Sequence, residues 1–335
     1  MSCGRSNKLK KSFTLIELII VIVVLALISV GSFKAIEMLY QRYYQVNTIT
    51  KFSILSQTTL DSIGSLFYYR IPSTAIGYDP DSGEFKKLSE VDDKKYTVFE
   101  VITDAFMAKQ HIGDDSQKGY SGFIDLDASD KDNKILVCKD FDIDDTNDTL
   151  NNFFNKNDKK DLNETVAIIF AGGLDEGDSE DDNDSFGWHG HDHNKTFLIK
   201  KFTKDGNDAN LTMTDDIEGN KIYAKYYLVS SAWAIARGKD IDQDADCLKG
   251  LNVDDNTLLL FYNYRPWNKE TFCADKHTGS DVNISSGQAS ILAQNITSFR
   301  VKEVNSHLEL RIQFEKALFK GSEHNITITK QKVTF

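Results

Sequence analysis

The feature that leaves this chain least freedom is residues 13–33, FTLIELIIVIVVLALISVGSF, an apolar run whose only charged member is Glu17. At about 1.5 Å of rise per residue, such a run is long enough to cross a bilayer as a helix. Arg5, Lys8, Lys10 and Lys11 precede it with no acid among them, the bias that holds an N-terminus in the cytoplasm and sends the rest across. No other apolar run approaches a membrane-spanning length, so one crossing is expected. A secretory signal peptide explains the basic start, but its apolar core is shorter and ends on small residues of the A-x-A kind. A plain anchor explains the length and leaves Glu17 unexplained, because a carboxylate inside a transmembrane helix costs about 2.5–3.5 kcal/mol on insertion scales.

Helical spacing persists beyond this run. Ile36, Leu39, Tyr43, Val46, Ile49, Phe52, Leu55, Ile63 and Leu66 recur with Lys34, Glu37, Gln41, Arg42, Gln45 and Lys51 between them, which predicts one helix, apolar all round over 13–33 and amphipathic over 34–68. Pro72 ends it at the latest. The Tyr40, Tyr43 and Tyr44 cluster suits an aromatic belt at the membrane surface or packing against a head. From residue 71 the period turns to two: runs at 165–171, 196–202, 222–230 and 257–264 read as strands. The alternation of Leu308, Leu310, Ile312 and Phe314 with charged and polar neighbours predicts an antiparallel strand with one wet face, and 296–304 and 326–335 complete a three-stranded meander with it. Residues 104–195, rich in Asp, Asn, Lys and Gly, read as long acidic loop insertions between strands. The expected class is α+β, a long N-terminal helix packed on an antiparallel β-rich head.

Ser12-Phe13-Thr14-Leu15-Ile16-Glu17-Leu18 resembles the processing site of type IV prepilins and pseudopilins. The resemblance implies a leader of residues 1–12, cleavage between Ser12 and Phe13 by a prepilin peptidase, N-methylation of Phe13, and a role in assembly for Glu17, whose carboxylate neutralises the new amine of a neighbouring subunit. Ser12 stands where the family almost always has Gly; it is small, and cleavage is expected. A second, more diffuse resemblance, ILAQNITSFRVKEVNSHLELRIQFEK, is to the closing strands of J-type minor pseudopilins of type II secretion and the related W-type minor pilins. Together these imply residues 13–33 in a bacterial inner membrane, 34–68 continuing the helix and 69–335 forming a periplasmic head. The partners implied are other major and minor pilin-like subunits, an inner-membrane assembly platform and a secreted cargo. The leading function is a minor pseudopilin of type II secretion. The alternatives are a minor pilin of a type IV or DNA-uptake pilus, and a filament-borne adhesin or metal-binding module.

The chain has 39 Lys and Arg against 51 Asp and Glu; without the four leader charges the balance is 35 against 51. Such a surface repels polyphosphate, and no basic cluster follows the leader, which argues against direct nucleic-acid binding. Cys3 falls in the leader. In an oxidising compartment Cys247 and Cys273 are the nearest pair among the other three, and closing that loop contributes about 3.5 kcal/mol on the chain-entropy model. Cys138 is either free and buried or the partner of one of them.

Acidic ladders at Asp240, Asp242, Asp244 and Asp246, at Asp178, Glu180, Asp182 and Asp184, and at Asp130 and Asp132 invite a calcium reading. None has the Gly and Glu of an EF-hand loop, and solvated acid runs rank ahead; the 240–246 set is preferred because Cys247 adjoins it. His189, His191 and His193 alternate in GWHGHDHN, at most an adventitious zinc or nickel site in a mobile loop. No nucleophile elbow, zinc-protease, P-loop or dinucleotide motif is present, and an enzyme is not expected. Eight N-x-S/T sequons occur, and seven of them, Asn147, Asn163, Asn183, Asn194, Asn210, Asn283 and Asn325 but not Asn295, carry an acid two residues earlier. That pattern resembles the extended acceptor of bacterial periplasmic oligosaccharyltransferases and makes the seven glycosylation candidates.

Overall fold

The structure, a computed structural model, describes residues 14–334 except 72, 92–94, 110–118, 155–161, 175–184, 216, 218–220, 278, 280, 281, 306 and 318–324. By internal contacts the chain divides into two units, Met1–Ser53 with Ala317–Ile326, and Ile54–Lys316 with Thr327–Phe335.

In the first unit, helix α1 begins at Leu15; the helix continues to Leu66. It is long and apolar enough to cross a membrane, with a mean hydropathy of 2.8 over its most apolar window and none of that window buried. Ser29 returns its hydroxyl to the Leu25 carbonyl at 2.7 Å, so this polar group needs no water.

In the second unit, the last turns of α1 become one-sided. Ser56, Leu60, Ile63 and Phe67 are buried, the spacing of a single helical stripe. The Phe67 ring, in the 3-10 turn Phe67–Tyr69 that ends the helix, meets Phe99 edge-on at 5.0 Å. On the same stretch Asp61 accepts from Gln57 at 3.1 Å and pairs with Lys332 Nζ at 2.7 Å, joining the helix to the end of the chain.

Sixteen strands follow among the described residues: β1 (Ile76–Tyr78), β2 (Phe85–Lys87), β3 (Val98–Asp104), β4 (Ile124–Asp130), β5 (Ile135–Cys138), β6 (Ala167–Phe170), β7 (Phe197–Asp205), β8 (Asp208–Met213), β9 (Tyr226–Arg237), β10 (Leu258–Tyr264), β11 (Glu270–Thr271), β12 (Asn283–Ile284), β13 (Gln288–Ala293), β14 (Ile296–Val304), β15 (His307–Ala317) and β16 (Asn325–Thr334), with helices α2 (Ile143–Phe154) and α3 (Leu162–Thr165) between β5 and β6. The main sheet runs β2-β1-β3-β9-β6-β7-β8-β5-β4, with β10 on β9 and β13 on β10. Strand β9 organises it: its first residues pair with β6 and its last with β10, while β3 lies along its other edge. Of its 12 residues all but Tyr227 are buried. The C-terminal strands form the expected separate sheet, β14-β15-β16.

A described strand lies in each of the segments expected at 165–171, 196–202, 257–264, 296–304, 308–314 and 326–335; the strand expected at 222–230 begins only at Tyr226 and runs on to Arg237 as β9. The loop reading of 104–195 is corrected. Beyond the strand expected at 165–171, strands β4 and β5 and helices α2 and α3 fall there. Helix α2 forms because Asp142 caps it, accepting the Asp145 N–H at 3.0 Å, and because Thr146 and Leu150, four apart, are buried beneath its acidic face. Strand β5 forms because Leu136 and Cys138 alternate as fully buried positions and Lys139 bridges Asp125 at 3.2 Å and Asp208 at 2.9 Å.

Candidate functional site

Ser12 and Phe13 lie outside the described residues, and the described site begins at Thr14. Thr14 precedes the first helical residue, and Glu17 stands three residues on. Glu17 Oε2 accepts the Thr14 N–H and the Thr14 hydroxyl, both at 3.0 Å, and the Glu17 N–H points to Thr14 Oγ1 at 3.4 Å. This is a capping box, in which the Glu carboxylate and the Thr hydroxyl satisfy donors that the first helical turn leaves over. It also places a negative charge at the positive end of the helix dipole. The intramembrane acid therefore has a local partner within one chain, a T-x-x-E signal that is readable in the sequence.

The other expected site residues separate. Cys247 and Cys273 are disulfide-bonded, Cα to Cα 6.3 Å, and Cys138 is free and buried, its thiol pushed up to about 12 by burial. That leaves it inert as a nucleophile. The acids at 240–246 do not converge. Asp240 is buried and faces Arg237 Nε at 3.3 Å, Asp242 Oδ1 accepts the Asp244 N–H at 3.1 Å, and Asp246 pairs with Lys249 at 2.7 Å. Asp130 caps a turn by taking the Asn133 backbone N–H; the ladder at 178–184 lies outside the described residues. Among the described residues no group of three or more His, Cys, Asp or Glu is arranged to hold a metal ion.

The three histidines do not share a side either. His191 sits edge-on to Phe85 at 5.0 Å, His193 Nδ1 contacts the Thr196 carbonyl at 3.0 Å, and the His189 side chain is buried. His189 Nε2 lies 2.7 Å from Glu100 Oε1 and its Nδ1 3.6 Å from Asp275 Oδ2. The Tyr264 hydroxyl donates to Glu100 Oε2 at 2.7 Å, while Asp275 takes the Tyr78 hydroxyl at 2.9 Å, the Thr271 hydroxyl at 2.7 Å and the His277 N–H at 3.1 Å. Tyr78 stacks on the imidazole at 3.8 Å. Strand alternation explains how Glu100 arrives: Phe99 faces Phe67 in the turn that ends α1, and Glu100, next along β3, faces the opposite side. Burial by itself pulls the His189 imidazolium down, but the Glu100 charge and hydrogen bond and the Asp275 charge outweigh it, and its pKa is raised. Burial also raises Asp275, against His189 and its hydrogen bonds. His189 adopts φ 47, and next to it a Cβ on Gly187 would come within 2.7 Å of the Pro266 carbonyl oxygen, so this turn is pressed onto the Pro266–Asn268 turn. No sequence motif announces the cluster, because its acids lie 89 and 86 positions from the histidine.

The sequon asparagines differ in kind. Asn147 is on α2, its Oδ1 taking Asn151 Nδ2 at 3.0 Å; Asn163 is on α3 and accepts the Phe202 N–H at 2.9 Å; Asn210 lies within β8, between β5 and β7. Placement of Asn147 and Asn163 in loops is thereby corrected. Asn194, Asn283 and Asn325 are exposed, and Asn183 lies outside the described residues. A glycosyltransferase needs an extended, accessible acceptor, so glycopeptide mass spectrometry of protein from its native host is expected to find glycan at Asn194 and Asn283 and none at Asn163 or Asn210. Unmodified peptides at Asn194 and Asn283 would reduce the acid-x-Asn pattern to composition.

Residues 7–33 match the prokaryotic N-terminal methylation motif. No curated protein and no solved structure is detectably similar to the chain. The motif, the one long apolar helix among the described residues and the antiparallel β head fit a membrane-anchored, pilin-type structural protein. The chain is type IV prepilin-like, and that class implies processing by a prepilin peptidase and assembly with other pilin subunits.

Proposed function

We propose that this chain is a low-copy, minor subunit of a type IV pilin-like filament, specifically a minor pseudopilin of type II secretion of the J type. The supporting observation is the disproportion between spine and head. A head of this length has a radius of gyration of about 18 Å, whereas helices in a spine pack about 8–10 Å apart. Repeating such heads at every spine position crowds them, while a few at one end are accommodated. The C-terminal sheet β14-β15-β16, joined to the helix through Lys332 and Asp61, supports the J-type resemblance, which rests on that stretch. In this reading residues 13–33 cross the inner membrane, the head is periplasmic, and it contacts other minor subunits and a secreted cargo.

Two measurements test the reading. N-terminal mass spectrometry of membrane-extracted protein is expected to give a chain starting at methylated Phe13; an intact Met1 or another start rules out processing at Ser12. A deletion strain is expected to lose secreted proteins and to keep transformation. The reverse result assigns the subunit to a DNA-uptake pilus.

A further inference from the structure

The chain carries a surplus of acids, yet one groove of about 420 Å³ in the head is lined by Arg237, Lys239, Arg300 and Lys302, and none of its described lining residues is a carboxylate. One wall is the Val91 and Tyr96–Thr97 segment, and the other is six consecutive residues of β14, Thr297 to Lys302. Strand β14 is the outer strand of its sheet, pairing with β15 from Ile296 to Val304. An outer strand presents a row of backbone donors and acceptors on the side away from its neighbour; at the start of β14 the Ile296 N–H already bonds the Asn256 carbonyl and the Thr297 carbonyl already accepts from Arg237, so the groups offered to a partner are those of the residues that follow. Arg300 and Lys302, two apart, are exposed on one face, while Phe299, which precedes Arg300 and points to the other face, is buried. Arg237 is fixed behind the groove by its bond to the Thr297 carbonyl at 2.5 Å and by Asp240, so its position is set before any ligand arrives.

We propose that this groove is a docking site for a short, extended, acidic peptide segment of a partner protein, which adds to the β14 edge and places carboxylates against Arg300, Lys302 and Lys239. Backbone pairing along a strand edge supplies affinity, and the basic residues supply the choice of partner. The length of the slot selects a strand over a compact anion, and the charge selects an acidic strand over a neutral one. The assignment does not depend on whether the filament serves secretion or DNA uptake.

The test uses the full chain in detergent micelles and a fluorescent hexapeptide of alternating Glu and Val, read by anisotropy. Saturable binding that weakens with added salt is expected. Two variants, Arg300→Glu with Lys302→Glu, and separately Lys239→Glu, are each expected to weaken it by about tenfold or more. The second lies outside the β14 sheet, so a folding defect in the first does not remove the test. A Lys-Val hexapeptide is expected not to bind, and a Glu-Pro hexapeptide of equal charge, which cannot pair along a strand, is expected to bind at least about tenfold less tightly. The proposal is overturned by absence of saturable binding, by unchanged affinity in both variants, or by equal binding of the Glu-Pro peptide, which would make the groove a general anion patch.

Discussion

Replacing His189 by Ala is expected to destabilise the head by about 3–5 kcal/mol, because it removes the cation from a site where Glu100 and Asp275 are almost wholly buried. A single domain has only about 5–15 kcal/mol in total, so the variant sits near the threshold of folding. His189→Gly separates two contributions. It removes the same ring but relieves the left-handed backbone at φ 47, and should recover about 1 kcal/mol of the loss. Denaturant unfolding of the full chain in detergent, followed by fluorescence of Trp188 and Trp267, gives both values. A loss below about 1 kcal/mol for His189→Ala would mean that the His189 imidazole is not the buried cation of this cluster. The wild-type head should also depend on pH in a definite direction. His189 has a folded pKa above its ordinary 6.5, so its stabilisation is complete below that value and is lost as pH rises through the folded pKa. Asp275, also raised from 3.8, binds more protons folded than unfolded above about pH 4, and its contribution likewise falls as pH rises. Both groups therefore predict declining stability toward alkaline pH.

Local periodicity made the helix and most of the strands legible. Leu308 to Phe314 alternate, and the structure places all four inside with the charged neighbours on the outer face. What escaped has two physical causes. In 104–195 a strongly acidic composition hides short alternations, such as Leu136 and Cys138, whose burial is provided by neighbouring strands rather than by the segment itself. In β9 the stretch Ala232-Trp233-Ala234-Ile235-Ala236 has weak strand propensity, and small residues are used there because the strand is covered on both faces. The buried histidine cluster is non-local in a stricter sense. His189 looks like a loop histidine because Gly187 and Gly190 flank it and acids precede it, whereas the glycines serve the turn that carries the ring inward. Spacing makes Cys247 and Cys273 the nearest pair but leaves Cys138 open as a partner of either, and only the fold separates the buried Cys138 from them; the capping box at Thr14 and Glu17 is a local T-x-x-E pattern, masked in the sequence by the rarity of an acid in so apolar a run.

The cap that Glu17 forms and the neighbour pairing expected of it can be separated by choice of substitution. Within one chain its carboxylate already accepts two hydrogen bonds from Thr14, and both end on Oε2; among the described residues Oε1 has no donor. A carboxylate has lone pairs for further donors, so a neighbour's N-terminal amine can be received without breaking the cap. Glu17→Gln keeps an oxygen for the Thr14 N–H and removes the charge. Glu17→Val removes both, and loss of the cap costs the first turn about 0.5–2 kcal/mol. If assembly depends on the charge, both variants should be cleaved before Phe13, remain in the membrane and fall by about tenfold or more in the sheared-filament fraction, since an amine buried against a neutral side chain is left unpaired. If the acid serves only the cap, Glu17→Gln should assemble as the wild type does and Glu17→Val alone should be impaired. Immunoblots of membrane and filament fractions, with N-terminal sequencing of each variant, distinguish the two, and normal assembly of Glu17→Gln would remove the amine pairing from the mechanism.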